Sequence, residues 1–162
     1  MKEMTEREVL QKLSALCAQA EHCSHEMTEK MRRWGIDDAV QARVMARLIE
    51  EKYVDDERYC RLYVREKIKF NKWGRRKVEQ GLMAKRIDQA IARQVLDEVD
   101  DADYIEVLRP LIKSKRRQLK PMSDYETTAK LMRFALSRGF TIDIIRQCLD
   151  GADEAYADGE ED

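Results

Sequence analysis

Residues Met27 to Leu48 read MTEKMRRWGIDDAVQARVMARL, and Val78 to Val99 read VEQGLMAKRIDQAIARQVLDEV. Between these stretches the pairs Met27/Val78, Met31/Leu82, Ile36/Ile87, Asp37/Asp88, Val40/Ile91, Val44/Val95 and Leu48/Val99 all hold an offset of 51. A third copy, a further 53 residues on, places Leu131, Ala135, Phe140, Thr141, Ile144 and Cys148 under the same template. Apolar positions at i, i+4 and i+8, broken once by a short polar step, describe two amphipathic helices joined by a tight turn. Gly35 and Gly139 mark that turn, because glycine ends a helix without steric cost. Asp37, Asp88 and Thr141 then fall at matching N-cap positions, where a side-chain oxygen can accept a free backbone N–H.

A further helix precedes each pair. Thr5 with Glu8 makes a capping box and Met4 with Val9 a hydrophobic staple, so the first helix begins near residue 5. Val54, Asp55 and Tyr59 repeat the staple logic in the second module, with Asp56 and Glu57 in the first helical turn complementing its dipole. In the third, a helix runs from about Asp101 past Pro110, which either kinks it or marks a break, and Ser123 with Glu126 caps the next. The expected fold is all-α, an elongated or curved tandem array of three three-helix modules, 1–52, 53–99 and 100–149, with about nine helices. Residues 150–162 form an acidic tail, too poor in apolar residues to offset ordering entropy and expected to be disordered.

Composition agrees with helices. The chain has 162 residues, of which 39% are charged and 43% apolar, with only 6 Gly and 2 Pro. So few turn-formers leave little room for β-hairpins or a glycine-rich phosphate loop. No run approaches the roughly 18 apolar residues of a membrane span, and Met1 to Glu8 lacks the apolar core of a signal peptide. A cytoplasmic protein without membrane association is expected. Cys17, Cys23, Cys60 and Cys148 are spaced for thiol use rather than for a disulfide framework.

The net charge of −1 conceals segregation of sign. Residues 150–162 hold seven acids and no base, which leaves 31 basic against 25 acidic residues, a net +6, in residues 1–149. Arg61 to Arg86 contains ten basic residues against Glu66 and Glu79, Lys113 to Lys120 five with no acid, and Asp97 to Glu106 six acids. Basic blocks of this kind point to a partner of opposite charge, most often nucleic acid, with a solvated helix face as the bland alternative.

One region carries a more specific signal. Tyr53 to Arg65, YVDDERYCRLYVR, followed by Lys72 to Arg76, KWGRR, and by Leu82 to Ile87, LMAKRI, resembles the central repeat of the RecX family of bacterial recombinase regulators. Cys60 stands for the usual Ala, and Arg86 stands where the family commonly has Gly. The resemblance extends over residues from about 5 to 150 and is densest in the centre. It implies tandem three-helix repeats and regulation of the RecA recombinase, by lying along the helical groove of the RecA–DNA filament and inhibiting its ATPase, strand exchange and recombination activity.

Individual residues divide by role. Asp55 and Asp56 are adjacent and cannot share a helix face, so cap and dipole roles are preferred over paired-carboxylate chemistry. Arg58 is expected to pair with one of them or with a neighbouring helix. Tyr59, Leu62, Tyr63 and Phe70 follow helical spacing and are expected in the core rather than on a base-stacking platform. Cys17, His22, Cys23 and His25 lack zinc-ligand spacing, and the two histidines are expected in the turn before a helix capped by Ser24. Arg75, Arg76 and Lys77 sit at a helix start, where cations are unfavourable unless an anion binds. Together with Arg61, Arg65, Lys67, Lys69 and Lys72 they form the first candidate surface for RecA or DNA. Lys113, Lys115, Arg116 and Arg117 form the second, with dipole complementarity at a helix C-terminus as the competing explanation. No nucleophile–base pair, Walker pattern, metal site or cofactor motif is recognised. The expected protein is a non-catalytic monomer whose partners are the RecA filament and DNA, single-stranded or double-stranded. The alternatives are a general DNA-binding helical module and a helical scaffold for another protein.

Overall fold

The computed structural model describes residues 3–149; the expected disorder of the acidic segment 150–162 lies outside them. The chain forms α1 (Glu6–Gln19), α2 (Ser24–Arg33), α3 (Asp38–Glu50), α4 (Asp56–Lys69), α5 (Arg75–Ala84), α6 (Gln89–Asp97), α7 (Asp101–Gln118) and α8 (Asp124–Ser137). Residues 142–149 form a ninth helix, α9, and no strand occurs among the described residues. Among the described residues no helix is long and apolar enough to cross a membrane.

The turn between the second and third helix of each module follows one geometry. Gly35, Arg86 and Gly139, equivalent in the repeat, have φ of 70°, 55° and 91°. The following amide bonds back across the turn each time: Ile36 N–H to Met31 O at 3.0 Å, Ile87 N–H to Leu82 O at 3.1 Å, Phe140 N–H to Ala135 O at 3.2 Å. This six-to-one bond around a left-handed residue is the Schellman motif. Arg86 therefore adopts the conformation that its two equivalents leave to glycine. Capping is less uniform. The Asp88 carboxylate accepts the Ala90 and Ile91 amides at 2.9 and 3.4 Å, Thr5 that of Glu8 at 3.1 Å, and Ser123 that of Glu126 at 3.2 Å. Asp37 occupies the N-cap position of α3 but makes no side-chain cap bond.

Two compact units result, one of Met1–Leu62 with Leu82–Ala92, the other of Tyr63–Gly81 with Arg93–Asp162. In the first, Val9, Leu13, Met27, Met31, Val44, Leu48 and Val54 make one buried cluster. In the second, Val78, Leu108, Ile112, Leu131, Ala135, Phe140 and Ile145 are buried.

Within each unit the start of a module's second helix docks on the turn of the next module. In the first unit the Cys23 thiol faces Lys85 O at 3.8 Å, and Glu26 accepts the Cys23 amide at 3.1 Å and Lys85 Nζ at 3.5 Å. In the second, Gly74 N–H donates to Arg138 O at 2.8 Å and Arg76 N–H to Gly139 O at 3.0 Å. A Cβ on Gly74 would collide with the backbone of Gly139 and Phe140. Glycine is required there for close approach rather than for its φ.

Three expectations need correction. Phe70 is 71% exposed: it continues the Tyr59–Tyr63 stripe, but beyond the last residue of α4, past the reach of the core. Tyr59 is buried, whereas Leu62 and Tyr63 are half-buried. Ser24 is the first residue of α2 and not its cap; Cys23 holds the N-cap position, so only His22 lies in the preceding turn and His25 is helical. α7 runs past Pro110 as expected, but of the two readings of that proline the break fails, since the helix continues through it; the carbonyl left without a donor belongs to exposed Glu106, which water can serve.

Replacing Arg86 by Gly should stabilise the protein. Left-handed backbone costs an L-residue roughly 1–2 kcal/mol, while glycine's extra unfolded freedom costs about 0.4–1 kcal/mol, leaving a net gain of about 0.5–1 kcal/mol. Gly35→Ala should lose a similar amount, since its Cβ would meet open space and only φ counts. Thermal unfolding checks both, and a lower melting temperature for Arg86→Gly would contradict the turn geometry. Gly74→Ala should cost about 3 kcal/mol, because backbone cannot yield to an added methyl; a wild-type melting point would contradict the docking. Finally, the Tyr104 hydroxyl is buried without a hydrogen-bond partner among the described residues, and burial pushes its pKa up from 10.0 to about 12. Stability held by the neutral phenol is present below pH 10 and lost as pH rises toward 12. Tyr104→Phe should gain about 1 kcal/mol at neutral pH and lose less than the parent over that window, as melting at several pH values would read.

Candidate functional site

Eleven of the twelve basic candidates belong to the second unit; Arg61 belongs to the first and bridges to Glu57 at 2.9 Å. The first block is built by the end of α4, the connection 70–74 and the start of α5. Lys72, at φ 60°, turns the chain after α4, and Trp73 N–H returns to Lys67 O at 3.1 Å, which holds the indole beside the last helical turn. Lys67 Nζ lies 5.0 Å from the Trp73 ring centre and 5.3 Å from that of Tyr63. Lys77 Nζ lies 5.0 Å from the same indole. Each such contact at a partly exposed ring contributes about 0.5–1 kcal/mol, so the rings fix where these ammonium groups sit. Lys69 lies 5.6 Å from the ring of exposed Phe70.

Arg75 and Arg76 differ in role. Arg75 binds Asp97 at 2.6 Å, an exposed pair contributing at most about 1 kcal/mol. Arg76 is exposed, as are Arg65, Lys69 and Lys72. A helix start rich in cations suggests an anion held by the free N–H groups, but the Gly74 and Arg76 amides are already taken by the carbonyls of Arg138 and Gly139. An anion approaching this end of α5 therefore meets side-chain charge rather than those two amides.

The second block lies at the end of α7. Lys113, Arg116 and Arg117 are exposed and Lys115 half-buried. Lys115 Nζ is 5.4 Å from the Phe134 ring centre, and Arg138 stands 5.5 Å from the same ring. Since Arg138 O holds Gly74, Phe134 and Arg138 link the two blocks through one continuous set of contacts inside the unit. Sequence reading passed over Arg138; its equivalence to Lys85 in the repeat was the available signal.

The remaining motif residues lie in the first unit, except Tyr63. The Asp55 carboxylate accepts the Arg58 amide at 3.0 Å. Asp56 accepts both the amide and the hydroxyl of Ser24, at 2.8 and 2.6 Å, and so ties the starts of α2 and α4. Arg58 binds Glu21 at 2.7 Å and the carbonyls of Lys52 and Tyr53 at 3.0 and 3.3 Å. Tyr59 is buried. Tyr63 packs its hydroxyl against Gly81, where a Cβ would collide with it, and burial raises its pKa. Among the described residues no group of three or more His, Cys, Asp or Glu could hold a metal ion.

Comparison with known proteins places this architecture. The model of the RecX second three-helix domain matches residues 55–96 and that of the RecX third three-helix domain residues 101–149. Regulatory protein RecX of Acinetobacter baylyi is 28% identical over 140 residues, covering 86% of this chain and 85% of that protein. Regulatory protein RecX of Bacillus cytotoxicus is 26% identical over 159 residues, covering 98% of this chain but 58% of the relative; a Bacillus mycoides relative is covered to 54%. The chain thus spans little more than half the length of these Bacillus proteins. The crystal structure of RecX from Lactobacillus salivarius shares the fold at a TM-score of 0.85 and 21% identity, covering 91% of this chain and 96% of that one. Two consecutive family domains account for more than half of the 162 residues, and the chain belongs to the RecX family.

Proposed function

We propose that this chain is a non-catalytic regulator that binds the RecA–DNA filament, along its helical groove, and inhibits RecA ATPase and strand exchange. The observation that carries the reading is the pair of consecutive RecX three-helix domains over residues 55–149, in a family whose relatives are named as regulatory proteins. The basic surface of the second unit supports it. Exposed Arg65, Lys69, Arg76, Arg116 and Arg117 supply the charge that a polyphosphate or an acidic protein face requires. The same charge also favours a second reading, a general DNA-binding helical module acting without RecA.

Adding the protein to RecA, single-stranded DNA and ATP separates the two. Inhibition of ATP turnover at protein levels well below RecA agrees with the first reading; binding to naked DNA without inhibition agrees with the second and contradicts the first. The informative variant is Arg65→Glu/Lys69→Glu/Arg76→Glu, which leaves the Arg75–Asp97 pair and the Trp73 contacts intact. Exposed substitutions shift stability by about 0.5 kcal/mol each, so melting should hardly change while inhibition weakens by about tenfold, a loss of about 1.4 kcal/mol in binding. Full inhibition by the folded variant would remove these residues from the interface.

A further inference from the structure

The seven acids of residues 150–162 follow in sequence on the described residues of the unit that carries eleven of the basic candidates. We propose that this segment is an intramolecular competitor for that basic surface, occupying it until a polyphosphate displaces it. The inference rests on the reading of this surface as one that meets DNA.

Reach and charge both support it. The Cys148 thiol lies 3.9 Å from Ile105 O, which fixes the end of the described chain against the N-terminal part of α7. From Ile105 the helix continues 8 residues to Lys113 and 12 to Arg117, about 12 and 18 Å at 1.5 Å per residue. The first block lies the other way: α9 begins just after Phe140, whose backbone faces Gly74, about 12 Å from Cys148 along the helix. Thirteen residues span up to about 45 Å when extended, so the segment can reach either block. Its charge is opposite and undiluted, with no base among its residues. Tyr156 within it adds a ring of the kind that Lys67, Lys77 and Lys115 already sit over.

The surface itself favours such an occupant. Trp73 holds two ammonium groups, each 5.0 Å from one ring centre, so two like charges stand within about 10 Å of each other, a separation at which exposed charges still interact in 0.1 M salt. An acidic segment placed there would relieve that repulsion. Tethering keeps the acidic residues at high effective concentration, so weak individual contacts suffice.

The test compares the full chain with a variant in which all seven acids of 150–162 are changed to Asn or Gln. The first readout is the ¹H–¹⁵N spectrum without DNA, at about 20 mM and 0.3 M salt. Signals of Lys67, Arg76, Lys77, Lys115 and Arg116 should differ between the proteins at low salt and converge at high salt. The second is binding of a 20-nucleotide oligothymidylate, which the variant should bind about tenfold more tightly at 50 mM salt and less than twofold at 0.3 M. Spectra differing only next to the substituted positions would overturn the contact, whatever the DNA result. Differing spectra with equal DNA affinity would overturn the competition. Differing spectra with no DNA binding by either protein would keep the contact and refute the DNA-facing reading instead.

Discussion

The left-handed residue at the turn between second and third helices is the constraint on which the rest depends. At Gly35, Arg86 and Gly139 it reverses the chain within one residue, closes the six-to-one bond and lines the third helix against the second. It also leaves the carbonyls around it facing outward. In the second and third turns those carbonyls become acceptors: Lys85 O for the Cys23 thiol, Arg138 O and Gly139 O for the amides of Gly74 and Arg76. One local conformation therefore shapes a module and provides the point where its neighbour attaches.

That attachment sets the electrostatics of the candidate surface. A helix N-terminus usually offers unpaired N–H groups and partial positive charge to an anion. At α5 two of these groups are committed to holding the module, and side chains carry the positive charge. Arg75 is restrained by Asp97, Lys67 and Lys77 by the Trp73 ring, and Lys115 by Phe134, while Arg65, Lys69 and Arg76 stand in solvent. A surface of this kind tolerates variation in the exact position of a phosphate, which suits a backbone-tracking or filament-tracking partner better than a small ligand. This agrees with the function proposed above, in which the partner is an extended assembly.

How much of this was legible depends on whether the signal was local. The offsets of 51 and 53 residues exposed the helix pairs because the same apolar positions face inward in every module: Met27, Val78 and Leu131 are all buried, as are Met31, Leu82 and Ala135. Glycine marked two turns, but nothing local showed that Arg86 takes the same conformation; the repeat alignment and the family resemblance place it there. The basic blocks were visible as composition, whereas their internal order was not. The pairing of Arg75 with Asp97, and of Asp56 with Ser24 32 residues away, depends on tertiary contacts that no spacing rule encodes. Phe70 was misread for the opposite reason, because helical periodicity continued on paper after the helix had ended in space.

The most direct test of the central claim is native-state hydrogen exchange at the amides of Gly74 and Arg76. If the start of α5 is held by the α8–α9 turn, both should exchange nearly as slowly as the buried amides of α8, since opening them requires the module to undock. Exchange as fast as that of an exposed first helical turn, such as the start of α7, would contradict it and return the start of α5 to being an open anion site.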